Sequence, residues 1–279
     1  MFTHCTTPSA RARRGMTMME LMVSVTILAV MILGFNSVLS QSQRLVTESQ
    51  RTLRANASIA SVSQQMRSDV RSITKVGFLG LSSNLAAFTS AFPSSSLTSA
   101  ARGPASVVVY RVANNAADAN TSIFCRQAYV LADDKSAITT PYPPDVLLDG
   151  GALMDMADFQ AMDATRLTGV ITWVQANVST VSVPPTDVTH WTNMWQVMVP
   201  GVLNNGTTPR FSIRYGVYDS SGNLVWTAAT GNVWTRFNQN NWPAFISITF
   251  ELSDRSVEYD AVRKNYVGRA YEVICAVAQ

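Results

Sequence analysis

The chain is poor in the residues that build metal sites and nucleophilic active sites. Its 279 residues include three cysteines and two histidines, and no two cysteines form a CxxC pair. This argues against a zinc ribbon and against a thioredoxin-like redox site. The HExxH, GxSxG and GxxxxGK motifs of metalloproteases, α/β-hydrolases and P-loop proteins are also missing. We therefore predict neither an enzyme nor a cofactor.

Charged residues make up 14% of the chain, and the two signs are unevenly placed. Residues 1–15 contain Arg11, Arg13 and Arg14 but no acid; without these three of the 21 basic residues, 18 basic and 18 acidic residues remain. A nucleic-acid-binding surface needs a clustered basic face, and none is indicated. We predict no nucleic-acid partner, and we treat residues 1–15 as a separate leader.

The leader is followed by residues 16–39, which are almost all apolar but include Glu20. As a helix these 24 residues would extend about 36 Å at 1.5 Å per residue. That length exceeds the bilayer hydrocarbon core of about 30 Å. Because the three leader arginines precede the segment and the next basic residue is Arg44, the positive-inside rule predicts a cytoplasmic N-terminus.

Two ordinary kinds of N-terminal segment leave part of this pattern unexplained. A secretory signal would have a shorter apolar core and small residues before its cleavage site, whereas a cut after Ser40 would place Val38 at the third position back. A plain signal anchor has no need of Glu20, and an ionisable residue in a membrane segment is costly and usually functional.

The stretch RRGMTMMELMVSVTILAVMIL, residues 13–33, resembles the cleavage and methylation motif of type IV prepilins and pseudopilins. The leader is short and basic and ends in Gly15, an apolar run follows at once, and a glutamate is the fifth residue after the glycine. The resemblance implies that a membrane prepilin peptidase cuts between Gly15 and Met16 and methylates Met16. The family most often has phenylalanine where this chain has Met16.

The same resemblance implies an assembly role for Glu20, namely pairing with the N-terminal amine of a neighbouring subunit. Met16 and Glu20 are four residues apart and would share one face of a helix. Pairing would relieve much of the cost of the buried charge. The alternatives are a pair within one chain and a side chain that extends to the membrane interface.

A stripe of apolar residues predicts that the helix continues beyond the membrane segment. No proline interrupts residues 16–76, so one long helix is expected, with Gly77 ending it. Its second half, residues 40–76, is predicted to be amphipathic and to pack on a globular domain. The stripe residues recur at helical spacing: Ile59, Val62, Met66, Val70 and Ile73.

Downstream, the pattern favours an α+β fold in which the long helix packs on an antiparallel β-sheet domain, as in pilins. Residues 77–104 are rich in serine and alanine and are predicted to be a loop-like connection, and residues 105–279 to form the β domain. A hairpin turn is expected between Tyr218 and Leu224. The predicted strands are residues 106–112, 123–131, 169–174, 178–183, 210–218, 245–252 and 269–277.

The order of several β segments is similar to that of J-type minor pseudopilins of type II secretion and W-type minor pilins. The segments are YRV, CRQAYVL, DVLLDGG, IRYGVYDSSGNLVW, WPAFISITFEL and GRAYEVICAV; residues 153–209 have no such counterpart. This resemblance implies a single-pass protein of the bacterial inner membrane with a periplasmic C-terminal domain. The implied partners are other minor pilins or pseudopilins, the major pilin, the prepilin peptidase and the inner-membrane assembly platform, with a place at the filament tip.

Other interpretations stay open. In an oxidising compartment Cys125 and Cys275 could form a disulfide, or both could be buried thiols. Tryptophans concentrated between residues 173 and 242 could form an exposed binding face, as in a membrane-anchored adhesin, or could fill the core. A periplasmic enzyme with a signal anchor would have to use His190 or the acids near Asp149 and Asp158.

Overall fold

The computed structural model describes residues 17–96, 101–115, 118–138, 145–149, 152–179, 196–206, 208–238, 242–253 and 268–277. The chain divides into two compact units, one ending at Arg54 and one beginning at Ala55. The predicted α+β class is confirmed, because a long N-terminal helix is followed by a large antiparallel sheet.

The long helix α1 runs from Met18 to Arg71 and contains 54 residues. It ends earlier than predicted, because the chain turns into the sheet: Ile73 forms an isolated bridge with Ser90. Gly77 therefore does not end the helix. It is needed for close packing instead, since a Cβ atom there would lie 2.2 Å from the Thr89 hydroxyl oxygen.

The remaining elements are short helices and strands that follow one another along the chain. The helices are a 3₁₀ turn (Lys135–Ala137), α2 (Met156–Ala161) and α3 (Ala164–Ser179). The strands are β1 (Phe78–Leu81), β2 (Leu85–Ser90), β3 (Ser94–Ser95), β4 (Arg102–Gly103), β5 (Ala105–Asn114), β6 (Thr121–Leu131), β7 (Leu148–Asp149), β8 (Ala152–Leu153), β9 (Gln196–Asn205), β10 (Thr208–Pro209), β11 (Phe211–Tyr218), β12 (Leu224–Ala228), β13 (Asn232–Thr235), β14 (Phe245–Ser253) and β15 (Gly268–Ala276).

One antiparallel sheet dominates the fold. Its strand order is β12-β11-β14-β9-β6-β5-β2-β1-β13, with β15 paired to β14 and β10 paired to β9. The strands predicted at residues 106–112, 123–131, 210–218, 245–252 and 269–277 are confirmed as β5, β6, β11, β14 and β15. The predicted hairpin is also confirmed, since β11 pairs with β12 and Asp219 accepts hydrogen bonds from the backbone of Ser221 and Asn223.

The prediction of a connection at residues 77–104 is wrong over residues 78–90, which form β1 and β2. Every residue of these two strands is buried. A strand that is buried on both sides shows no polar alternation, so the pattern that indicates a half-buried strand was missing. These strands also contain small residues such as Gly80, Ala86 and Ala87, which are typical of loops, so the segment was predicted to be a connection.

The strand predicted at residues 169–174 is wrong as well, because this stretch lies within α3. Leu167, Val170, Ile171 and Val174 are all buried, and their spacing of 3, 1 and 3 residues is that of one helix face. The strand predicted at residues 178–183 begins inside the same helix, and residues 180–183 lie outside the described residues.

The sheet has two sides, which bury two different cores. The helix-facing side packs against Val62, Met66 and Val70 of α1, together with Ile73, so that the predicted stripe is confirmed as core packing. We call the opposite side the outer side. Over β1, β2, β5 and β6 it is covered by α2 and α3 through residues such as Phe159.

Candidate functional site

The N-terminal end of α1 carries a capping arrangement that includes Glu20. The Glu20 backbone N–H donates to the Thr17 hydroxyl at 3.3 Å, and the Thr17 backbone N–H donates to the Glu20 carboxylate at 3.4 Å. This reciprocal pattern is a capping box, for which TMME at residues 17–20 was an available signal in the sequence. Gly15 and Met16 lie outside the described residues.

The first part of α1 is apolar on every side. Its large apolar side chains between Met18 and Leu39 are 41% to 87% exposed. The hydroxyl groups of Ser24 and Thr26 donate to backbone carbonyls one turn earlier, both at 2.8 Å. These two hydroxyl groups are thereby satisfied within the helix, as a lipid environment requires. By length and composition α1 is able to cross a membrane.

The comparison with known families identifies this same segment. Residues 10–35 match the family model of the prokaryotic N-terminal methylation motif. The motif is prepilin-like, and it supports a type IV pilin- or pseudopilin-like protein that is anchored by a single membrane helix. Neither curated proteins nor solved structures yield a match to the chain.

A second site, which the sequence did not reveal, joins the second part of α1 to the sheet. We call it the polar clamp; it consists of Gln65, Asp69, Tyr110 and Arg126. The Asp69 carboxylate accepts hydrogen bonds from Arg126 Nε at 2.6 Å and Nη2 at 3.2 Å, from the Tyr110 hydroxyl at 2.6 Å and from Gln65 Nε2 at 2.9 Å. Two-pronged, charge-assisted bonds of this kind are strong and directional.

Burial and the neighbouring Asp69 together set the protonation states of Tyr110 and Arg126. Asp69 is only 6% exposed. Burial, followed by the charge and hydrogen bond of Asp69, raises the pKa of the Tyr110 phenol far above its ordinary value. Burial by itself lowers the pKa of the Arg126 guanidinium, but the hydrogen bond and charge of Asp69 outweigh it and raise that pKa. The phenol therefore stays neutral and the guanidinium charged throughout the physiological range.

A weak signal for the polar clamp was present in the sequence. Asp69 lies three residues after Met66 and four before Ile73, so it falls on the flank of the apolar stripe. A carboxylate on the buried flank of a helix needs a partner. The partner, Arg126, is 57 residues away in β6, and its proximity follows from the tertiary structure alone.

Cys125 and Cys275 are both buried and free. They belong to separate clusters of buried side chains: Cys275 lies in the core under α1, while Cys125 packs with Ala113 and Ile123. Burial raises the pKa of the Cys125 thiol to about 12 and that of the Cys275 thiol to about 11. This placement fits the alternative of two buried thiols of low reactivity.

The groups considered for an enzyme do not come together in the part of the chain that the structure describes. Asp149 pairs with Arg166 and Asp158 with Lys135, each at 2.6 Å and at the surface. The described ranges contain no group of three histidine, cysteine or acidic residues that could hold a metal ion. His190 lies outside the described residues.

The tryptophans divide between core and surface. Trp234 and Trp242 are buried at 6% and 8% exposure, as the core-packing alternative expects. Trp226 is half-buried on β12. Trp191 and Trp195 lie outside the described residues, so the exposed-face alternative now depends on Trp226 and its neighbours.

Proposed function

We propose that the protein is a minor pilin or pseudopilin, a structural subunit that starts or caps a type IV pilus-like or type II secretion filament. The observation that carries the proposal is a prokaryotic N-terminal methylation motif that leads directly into an exposed apolar helix. The order of the β segments, similar to J-type and W-type minor subunits, supports the minor class. The partners would be other minor subunits, the major pilin, the prepilin peptidase and the assembly platform.

In this proposal the prepilin peptidase cuts the chain between Gly15 and Met16 and methylates Met16. Residues 16–39 then hold the subunit in the inner membrane, and the domain that follows lies in the periplasm. Residues 40–76 connect the membrane segment to that domain. No catalytic step is assigned to the protein itself.

Glu20 would pair with the methylated amine of a neighbouring subunit during assembly. An isolated carboxylate in hydrocarbon is costly, and an opposite charge at close range offsets much of that cost. The capping bond to Thr17 does not compete with this role, since a carboxylate has four lone-pair sites and the cap uses one.

The processing step is tested by the mass of the membrane-extracted protein from hosts with and without a prepilin peptidase. We expect a chain that begins at N-methylated Met16 only when the peptidase is present. A chain that begins at Met1 in both hosts would overturn the proposal and favour a membrane-anchored binding module.

The assembly role of Glu20 is tested with substitutions that separate its charge from its capping bond. Glu20→Gln keeps an acceptor for the Thr17 N–H but removes the charge, whereas Thr17→Ala removes the hydroxyl cap and keeps the charge. We expect the first to abolish incorporation into filaments and the second to leave it largely intact. Glu48→Gln, an exposed acid on the same helix, is the matched control.

If Glu20→Gln assembles normally, the charge is not needed and the pairing role is wrong; failure of Thr17→Ala would then show that assembly needs the hydroxyl cap instead. Membrane insertion should be the same in all three variants. A loss of insertion in Glu20→Gln would likewise contradict the proposal, because removing a charge from an apolar segment favours insertion.

A further inference from the structure

The outer side of the sheet is open to solvent over β11, β12, β14 and β15. On this side Tyr218, Leu224 and Ile274 are 51%, 37% and 43% exposed. Over β2 and β5, by contrast, outer-side residues such as Leu85 and Val107 are buried beneath α2 and α3. We call the exposed outer side of the four strands the open face.

One end of the open face is aromatic. The Tyr218 and Trp226 rings lie 6.3 Å and 6.4 Å from the Phe245 ring. Gly216 lies between Trp226 and Phe245 in one cross-strand row. A Cβ atom at Gly216 would lie 2.9 Å from the Leu224 side chain and 3.4 Å from the Trp226 ring. The missing side chain leaves room for the rings to pack at an angle, with Tyr218 at 69° and Trp226 at 45° to the Phe245 ring, and together they form an apolar patch, the aromatic platform.

The adjoining rows of the open face are polar. Arg214 Nη2 lies 2.9 Å from the Glu272 carboxylate, and the Ser247 hydroxyl donates to the same carboxylate at 2.5 Å. The Arg214 guanidinium also lies 5.8 Å from the centre of the Trp226 ring. An exposed pair of hydrogen-bonding groups, Arg214 and Glu272, therefore stands directly beside the aromatic platform, and the two charges offset each other, while the buried Ser247 holds the Glu272 carboxylate in place.

We propose that the open face binds a neutral saccharide chain. One face of a sugar ring presents weakly positive C–H groups that pack on the negative face of an aromatic ring. Its hydroxyl groups can both donate to the carboxylate and accept from the guanidinium. Because the charges of Arg214 and Glu272 offset each other, they would attract a charged ligand only weakly, whereas their remaining N–H groups and lone pairs can still serve hydroxyl groups, which favours an uncharged ligand. This inference does not depend on the filament role.

The test uses the full chain in detergent micelles and a panel of neutral linear oligosaccharides made of glucose, N-acetylglucosamine or mannose. Binding is measured by isothermal titration calorimetry. We expect at least one of these oligosaccharides to bind, and Trp226→Ala and Tyr218→Ala each to weaken the affinity at least about tenfold, which corresponds to about 1.4 kcal/mol. Phe237→Ala, which removes another exposed aromatic ring beyond β13, should leave binding unchanged.

Tyr218→Ala separates a loss of binding from a loss of folding, because the side chain is half exposed and its removal should not unfold the domain. Failure of every oligosaccharide to bind would overturn the proposal. The proposal would also be overturned if an oligosaccharide binds and neither Trp226→Ala nor Tyr218→Ala weakens its affinity. If these substitutions instead abolish binding of a purified partner subunit, the open face is a protein interface and the saccharide proposal is wrong.

Discussion

The two parts of α1 differ in how their apolar residues are arranged around the helix. Between Met18 and Leu39 apolar side chains occupy all sides and are exposed, whereas in the second part Val62, Met66 and Val70 form one buried stripe. A helix that is apolar all round suits lipid or a bundle of like helices, and a helix with one stripe suits the surface of a globular core. The two parts of α1 are thus suited by composition to two different environments.

The ionisable residues of the two parts differ in the same way. Asp69 has four hydrogen bonds from its own chain, which include both bonds from Arg126. Glu20 has one side-chain bond to its own chain in the described residues, the long contact with Thr17. Within the described residues, the acid of the second part is fully satisfied by its own chain, whereas the carboxylate of the first part accepts a single long hydrogen bond.

A large effect is expected from Asp69→Ala. The substitution leaves the half-buried Arg126 guanidinium and the buried Tyr110 hydroxyl without their shared partner, which should lower the free energy of unfolding by about 3 kcal/mol. Urea unfolding can be followed by tryptophan fluorescence, because all six tryptophans lie between residues 173 and 242. Glu48→Ala is the matched control on the same helix. An unchanged midpoint for Asp69→Ala would show that the polar clamp does not hold the helix on the sheet.

Truncation of a methionine in each part of α1 compares the two parts directly. Met66 is 1% exposed and Met31 is 67% exposed. Met66→Ala should lower the free energy of unfolding by about 2–5 kcal/mol because it leaves a cavity in the core. Met31→Ala should leave the urea midpoint unchanged. Equal effects from the two substitutions would contradict the division of the helix into two parts.

A charge in the apolar segment should impair membrane insertion without weakening the domain. Leu28→Arg is expected to cost about 2.5–3.5 kcal/mol in insertion. Leu53→Arg, at a similarly exposed position beyond the apolar run, should insert normally. A C-terminal alkaline phosphatase fusion, which is active only after export, measures the difference. Normal export of the Leu28→Arg fusion would show that residues 16–39 are not the membrane segment.

The smallest effect is expected from Gly34→Ala. A Cβ atom at Gly34 has no atom within 4 Å. Alanine should therefore stabilise the helix by about 0.5–1 kcal/mol. Amide hydrogen exchange in detergent micelles should slow around residue 34. Gly222→Ala is the control: this turn glycine has a φ of 81°, so alanine there should strain the hairpin and leave exchange in α1 unchanged. Faster exchange near residue 34 would contradict the expectation.

Sequence patterns predicted the elements whose burial is one-sided, and also β5 and β6, whose long runs of β-branched and aromatic residues indicate strands although both of their sides are buried. The stripe on α1 and the alternating strands β11, β14 and β15 were recognised because exposed and buried positions alternate with the period of the element. The reasons for missing β1 and β2 differ from the reason for missing α3. β1 and β2 are buried on both sides and, unlike β5 and β6, are short and rich in small residues. The short apolar run GVITWV does not by itself distinguish a strand from a buried helix.

The candidate sites divide in a similar way. The methylation motif, in which Glu20 lies, is a local pattern, so the neighbours in the sequence were sufficient to recognise it. The polar clamp and the open face join residues from distant elements: Asp69 with Arg126, and Arg214 with Glu272. No spacing rule in the sequence relates such pairs, because their contact depends on which strands become neighbours.

The sequence by itself determined the candidate membrane helix, the prepilin-like motif and the α+β class, since each depends on composition or on periodicity over a few turns or strands. Only the tertiary structure decided that Asp69 has a partner, that Cys125 and Cys275 lie in separate clusters, and that one half of the outer side is covered while the other is open. The physical reason is that burial and pairing depend on the order of strands in the sheet, and that order brings together residues far apart in the chain.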